Sequence, residues 1–332
     1  MNFIHFFDEI TRDHHLLGGK ASNIIKLQGL NLKIPDGFII NTNFYDAFFN
    51  FHGLRDKLKK FLVEKLYPKK IIALSAQIRN MITHASLPRM LLEDLQVAFK
   101  TLKNHIGKHS PVAVRSSATI EDSSQFSFAG QAESYLYIHE FEELLTSLKN
   151  CWSSLFSPQA LLYLIQMKQK GLNFSLLDIK MAVIVQKMIN SHISGVLFTT
   201  NVLNNKHHEM MINSTWGLGE TITNNTINPD LFIIKKKEHQ IIKFILGEKE
   251  QKSIKNPHGS FTHLVETEPE LRNKASLSHA QLRQLCELGL KIEQAFECPQ
   301  DIEWAIEDDH IYILQSRPIT TLQENKEQIP LI

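Results

Sequence analysis

Three stretches of this 332-residue chain carry residue types that could handle a polyphosphate. The first is 111–133, PVAVRSSATIEDSSQFSFAGQAE, in which Arg115 follows an apolar triplet and precedes the hydroxyls of Ser116, Ser117 and Thr119. Glu121, Asp122 and a Ser/Phe segment ending Ala129-Gly130-Gln131 complete it. A guanidinium fork matches phosphate oxygens two at a time, and small residues beyond it let backbone N–H groups approach an anion. The competing reading is a salt-bridged arginine in a serine-rich surface turn. The second stretch is Gly18-Gly19-Lys20, at the head of a helical pattern in which Ala21, Ile24, Ile25 and Gln28 share a face. Glycines there expose helix N-terminal amides, whose dipole favours anions, and Lys20 can reach a phosphate from the first turn. The spacing GxxxxGK[ST] is absent, so this is not a Walker A loop. A surface lysine after a glycine turn is the plain alternative. The third stretch is acidic and amide-bearing: DIEWAI (301–306) and IYILQSR (311–317), joined by an acidic turn.

These residues need elements to hold them. Val112-Ala113-Val114 reads as a short strand, with a turn beginning at Arg115. Ile34–Ile40 reads as a turn feeding a buried strand. From Tyr45 to about Asn104 the pattern is helical, Leu91, Leu95, Ala98 and Leu102 recurring at helical spacing with Pro88 near the start. The lysines between Lys57 and Lys70 alternate with Leu58, Phe61, Leu62 and Leu66, as a solvated helix face does. Phe141–Lys149 and the following CWSSLFSPQALLYL continue the helices. Met181–Met188 is a Val/Ile-rich strand carrying Gln186 and Lys187, and 195–200 is another, with a lobe boundary near residue 190. Phe232–Ile245 reads as a hairpin, 247–274 as a polar flexible loop, and Ser278 with Gln281 as a capping box for a helix running to Phe296. In the last two strands, alternation predicts Glu303 opposite Gln315 and Asp301 opposite Arg317, with Trp304, Ile306, Tyr312 and Leu314 on the other face. A carboxylate and an amide oxygen side by side suit Mg2+, which takes few protein oxygens and keeps water and phosphate as the rest. A Glu–Arg salt bridge in an edge hairpin is the alternative.

Composition bounds the function classes. With 43% hydrophobic and 21% charged residues the chain is an ordinary globular one, long enough for two lobes. A net charge of +1 gives no electrostatic reason to expect nucleic acid or an anionic membrane. Its 3 cysteines form no CxxC pair and cannot all be bridged, as expected in a reducing cytoplasm. The N-terminus lacks the basic start of a signal peptide, and no uncharged apolar run has transmembrane length. The paired histidines His14-His15 and His207-His208 lack ligand spacing and read as surface residues. Trp216-Gly217-Leu218-Gly219-Glu220 lacks the third glycine of a dinucleotide fingerprint and a surrounding βαβ pattern, which excludes an NAD site.

The wording of 111–133 resembles the nucleotide-binding domain of the family that groups phosphoenolpyruvate synthases, pyruvate phosphate dikinases and rifampin phosphotransferases. Five further stretches agree in order and spacing: LGGKASNIIKL (17–27), IPDGFIINTNFY (34–45), MAVIVQKMINSHISGVLFT (181–199), NSTWGLGETITNNTINPDLF (213–232) and DIEWAIEDDHIYILQSRPIT (301–320). The resemblance implies an α+β, ATP-grasp-like fold, two lobes clamping MgATP: residues 1–190 and 191–322, with 323–332 a tail. It implies ATP and Mg2+ as cofactors, Lys20, Arg115 and Arg317 as the catalytic residues, and Lys20, Arg115, Gly130, Ser134, Gln186, Glu303, Gln315 and Arg317 around the nucleotide. Glu303 and Gln315 match the metal-binding pair, Arg317 a phosphate-binding arginine, and Gln186 the adenine region. A glycine loop at Trp216–Gly219 lines the cleft, with Glu220 open in role, and Ser123–Gly130 is expected to be a mobile lid.

In that family the ATP-binding domain phosphorylates a histidine on a swivelling carrier domain, which delivers the group elsewhere. Here the chain ends about ten residues after the last ATP motif, and Thr83-His84-Ala85 resembles the carrier motif only faintly, without its glycines. The expectation is therefore a dikinase-type phosphotransferase subunit that passes phosphate to a separately encoded phosphohistidine carrier protein. A stand-alone ATP-grasp kinase or ligase for a small molecule, and a non-catalytic nucleotide-binding regulatory module, are the alternatives.

Overall fold

The computed structural model describes residues 3–9, 14–62, 68–120, 134–171, 177–257 and 261–320. The expected lid, with Gly130, lies outside the described residues. The chain divides into two compact units, residues 1–189 with 255–263, and residues 190–254 with 264–332. Both mix helix and sheet, so the α+β class holds.

The first unit comprises β1 (Ile4–Phe6), α1 (Gly19–Gln28), β2 (Gly37–Ile40), α2 (Thr42–Phe51), α3 (Leu54–Leu62), α4 (Pro68–His84), α5 (Arg89–Ile106), β3 (Val112–Ala118), β4 (Ser134–Ile138), α6 (Phe141–Ser154), α7 (Pro158–Gln169) and β5 (Met181–Lys187). Its antiparallel sheet has the order β1-β2-β5-β3-β4. Side-chain alternation sends Phe38, Ile40, Val112, Val114, Val183 and Val185 to one face, where they join Phe44, Phe48, Trp152, Leu95 and Leu148 of the helices in one core. The opposite face carries Ala113, Arg115, Ser117, Ile184 and Gln186, and α1 packs there. The expected turn at Arg115 is in fact strand. Ser116, Ser117 and Ala118 pair with Val183, Ala182 and Met181, and side chains this small fit a strand covered on both sides. His84 ends α4 with its Nδ1 3.0 Å from the Asn80 carbonyl, and Thr83 and His84 lie in that helix.

The second unit comprises β6 (Ile193–Phe198), β7 (Glu209–Trp216), α8 (Glu220–Thr223), β8 (Asp230–Lys235), β9 (Ile241–Ile245), β10 (Gln251–Lys255), β11 (Thr262–Glu266), α9 (Pro269–Arg272), α10 (His279–Phe296), β12 (Gln300–Glu307) and β13 (His310–Pro318). The tip of the β10–β11 ribbon belongs to the first unit. Six strands form an antiparallel sheet of order β13-β12-β6-β7-β8-β9. The capping box of Ser278 and Gln281 is present and α10 runs as expected to Phe296. It packs closely on the sheet because Gly289 has no side chain; a Cβ there would meet Leu197 Cδ2 at 2.8 Å. Two expectations fail. The described residues of 247–274 are not an irregular loop but two paired strands and a short helix, anchored by the fully buried Lys249–Asp230 ion pair. Asp230 also accepts from the Gly247 and Ser276 amides, 2.9 and 2.7 Å. Buried charges persist where paired and hydrogen-bonded, and Lys249 is hidden in a polar run that reads as solvated. The second failure is in the last hairpin. A bulge between Glu303 and Trp304 shifts parity, so Trp304 and Ile306 pair with Ile313 and Ile311 rather than sharing a face with Tyr312 and Leu314.

Candidate functional site

In the first unit, α1 delivers Lys20 to β3. The helix has Gly18 as its N-cap with no side-chain cap of its own. The missing oxygen comes instead from Ser117, whose Oγ accepts the Ala21 N–H at 3.1 Å and donates to the Leu17 carbonyl at 3.1 Å. Gly18, at φ +73, lies so close that a Cβ would fall 2.3 Å from the Ser117 carbonyl oxygen. This alters the expected role of the glycines: Gly18 lets the helix abut the strand, and the Ala21 amide is spent on Ser117 rather than presented to an anion. Lys20 is 8% exposed, its ammonium donating to the Ser116 carbonyl at 3.3 Å, beside Arg115 in sequence.

Arg115 is half-buried on the α1 face, with Ser134 of β4 as its Cα partner. Gln186 shares that face, buried, and one of its amide protons is committed to the Pro35 carbonyl at 3.3 Å. Four of the expected residues, Lys20, Arg115, Ser134 and Gln186, thus come to one face of one sheet. The sequence names the Ser117 hydroxyl only as one of the polar groups after Arg115 and not as a cap; the helix it caps begins with glycines and no Ser, Thr, Asp or Asn, and that gap is the available signal.

In the second unit the predicted pairings hold at the candidate residues: Glu303 faces Gln315, and Asp301 faces Arg317. Strand β6 continues the row, Val196 lying beside Glu303 and Asn213 of β7 beside Val196, so Asn213 falls on the same face. The opposite face holds Trp304 over Gly195, where a Cβ would stand 2.4 Å from the indole. Arg317 is tied to the residue opposite it. Its Nε and a terminal nitrogen both lie 2.9 Å from one oxygen of Asp301, so it has a structural partner. Burial raises the Asp301 carboxyl above its ordinary range, the Arg317 charge and hydrogen bond opposing the rise and Glu303 adding to it.

The glycine loop after β7 is tied shut. Ser191 and Ser194 donate to the Gly217 carbonyl at 3.1 and 2.7 Å, the Leu218 amide donates to the Ser253 carbonyl, and Ser253 donates its hydroxyl to Glu220. Glu220 therefore has a local partner that fixes the ribbon against this loop.

Among the described residues no group of three or more His, Cys, Asp or Glu could hold a metal. The adjacent Glu303 carboxylate and Gln315 amide nevertheless fit Mg2+, which asks for few protein oxygens and completes its shell with water and phosphate. The described residues also include no helix long and apolar enough to cross a membrane.

Comparison with known proteins adds identity. The family model described as pyruvate phosphate dikinase, AMP/ATP-binding domain, matches residues 14–331. A probable phosphoenolpyruvate synthase of Methanocaldococcus jannaschii is 34% identical over 332 residues, 99% of this chain and 27% of that protein. The phosphoenolpyruvate synthase of Pyrococcus furiosus is 34% identical over 97% of this chain and 44% of its own length. A rifampicin phosphotransferase of Bacillus cereus is 33% identical over 97% of this chain and 36% of its own. The chain spans from about a quarter to under half of the length of these relatives.

Proposed function

The chain belongs to the pyruvate phosphate dikinase AMP/ATP-binding domain family, and from that premise we propose that it is the nucleotide-cleaving part of an ATP-dependent phosphotransferase of dikinase type. ATP and Mg2+ are the cofactors that membership brings. The phosphoryl group passes to a histidine on a separate carrier protein. The observation that supports the nucleotide reading most is the gathering of Lys20, Arg115 and Ser134 on one sheet face. Two cations and a hydroxyl placed by two strands and a docked helix are pre-arranged donors for phosphate oxygens, and such donors need no reorganisation when charge moves.

Within this reading Lys20 and Arg115 bind and orient the phosphates, Arg115 through its bidentate fork. Glu303 and Gln315 would hold Mg2+, which supplies charge neutralisation at the phosphate oxygens. Arg317 faces phosphate while staying anchored to Asp301, which fixes its direction. Gln186, held by Pro35, borders the adenine. A separate acceptor is supported by the relatives: proteins named for phosphoenolpyruvate synthesis and for rifampicin phosphorylation match the same 97–99% of this chain. What these residues share is then the nucleotide chemistry, with acceptor choice made elsewhere.

Product analysis from labelled ATP tests this. Alone, the chain should hydrolyse ATP slowly. With a histidine carrier it should yield AMP, phosphate and an acid-labile phosphoprotein. Fast, stoichiometric phosphorylation of a small molecule by the chain alone would overturn the carrier requirement.

A further inference from the structure

We propose that Ser117 is a positioning residue for the phosphate-binding lysine: its hydroxyl clasps the start of α1 to β3 and thereby sets where Lys20 presents its charge. The proposal rests on the nucleotide reading of the Lys20–Arg115 face. Ser117 is fully buried, and its one hydroxyl serves both ends of the Gly18 turn, donating to Leu17 before it and accepting from Ala21 after it. A helix start ordinarily draws its N3 cap from its own N-cap side chain. Here the N-cap is glycine, and the cap is supplied from a strand 96 residues away.

That substitution has a geometric consequence. A cap within the helix fixes only the helix; a cap from β3 fixes the helix to the sheet. Lys20 lies between the two anchored points, one residue before Ala21 and three after Leu17. Its four-carbon stem is buried and its ammonium reaches the carbonyl of Ser116, the neighbour of both Ser117 and Arg115. A long flexible lysine costs rotameric freedom to hold in one place, and the clasp removes the freedom of its backbone as well. Gly18 is required by the same contact, since any side chain there would strike Ser117.

The test is a double-mutant cycle on the full chain, Ser117→Ala, Lys20→Ala and both together, read by calorimetric affinity for MgATP and by melting without nucleotide. Ser117→Ala should weaken MgATP binding about five- to tenfold, the scale of one buried hydrogen bond. In the Lys20→Ala background the same change should alter affinity by less than about twofold, whereas its effect on melting should be equal in both backgrounds. Should Ser117→Ala fail to fold, Ser117→Cys, which keeps a group of similar shape, runs the same cycle. An affinity loss that adds in full to that of Lys20→Ala overturns the positioning role, and so does no loss from Ser117→Ala where Lys20→Ala causes one. Indifference of MgATP affinity to Lys20→Ala itself overturns the nucleotide reading, and the clasp with it.

Discussion

The two sheet faces that gather the proposed site residues are assembled in opposite ways. The face of the first unit joins partners 96 residues apart, Lys20 with Ser116 and Ala21 with Ser117, and exists only once α1 has docked on β3. The face of the second unit is a hairpin whose Asp301–Arg317 contact spans 16 residues and follows from strand register alone. Non-local contacts form after the chain has lost much of its freedom, local ones before. The charges differ in kind too. Lys20 leans on a backbone carbonyl, whereas Arg317 is anchored to a buried carboxylate. Removing an arginine from the second face should therefore disturb the fold, while loosening the first should disturb ligand binding.

The largest expected effect tests that contrast directly. Arg317→Ala leaves Asp301, whose side chain is 13% exposed, buried beside Glu303 without its cation. Breaking a buried pair costs several kcal/mol, and because Arg317 is 35% exposed we expect about 2 kcal/mol here. The sign of the pH dependence follows from the raised Asp301 carboxyl. Where the native state binds more protons than the unfolded one, stability falls as pH rises. Without the guanidinium the native carboxyl rises further, so the deficit of Arg317→Ala should shrink as pH is lowered toward the ordinary carboxylate range. Urea melts at about pH 5 and pH 7 measure it, and Asp301→Asn added to Arg317→Ala should recover stability at pH 7. An equal deficit at both pH values would show that the pair does not govern the fold.

A smaller effect separates metal from phosphate on the hairpin. Glu303→Ala with Gln315→Ala should lower affinity for MgATP by about tenfold or more while leaving metal-free ATP binding as it was. Calorimetry with and without Mg2+ reads both. Unchanged affinity for MgATP would remove this pair from the metal site and leave the hairpin with Arg317 alone.

What could be read from the sequence divides along the same line. The Glu303–Gln315 and Asp301–Arg317 pairings follow from alternation within one hairpin, and the Ser278 capping box and the buried Leu91, Leu95 and Ala98 of α5 follow from local periodicity. The bulge at Glu303/Trp304 escaped because both parities of β13 offer apolar residues, Ile311 and Ile313 or Tyr312 and Leu314, and only packing against Trp304 chooses between them. The sequence suggests a turn at Arg115 because serines break a hydrophobic pattern, yet two covering layers can bury serines once the Ala21 amide of α1 donates to the hydroxyl of Ser117. Lys249 escaped for a related reason: its carboxylate partner lies 19 residues earlier, and nothing local distinguishes a paired buried lysine from a solvated one.

The smallest expected effect asks how far the first face extends. Ser134 stands opposite Arg115 at the start of β4, and it is exposed. An exposed serine in a strand contributes little to folding, so Ser134→Ala should move stability by less than about 0.5 kcal/mol. If its hydroxyl donates to the same phosphate that Arg115 grips, MgATP affinity should still fall about threefold, the lower end of what one solvent-competed hydrogen bond supplies. Combined with Arg115→Ala the two losses should not add, because neighbours on one ligand group share its interaction energy. Calorimetry on the two single variants and the double decides it. Wild-type affinity in Ser134→Ala would end the face at β3, leaving Lys20 and Arg115 as its phosphate-binding residues; a non-additive loss would carry it across the ladder to β4.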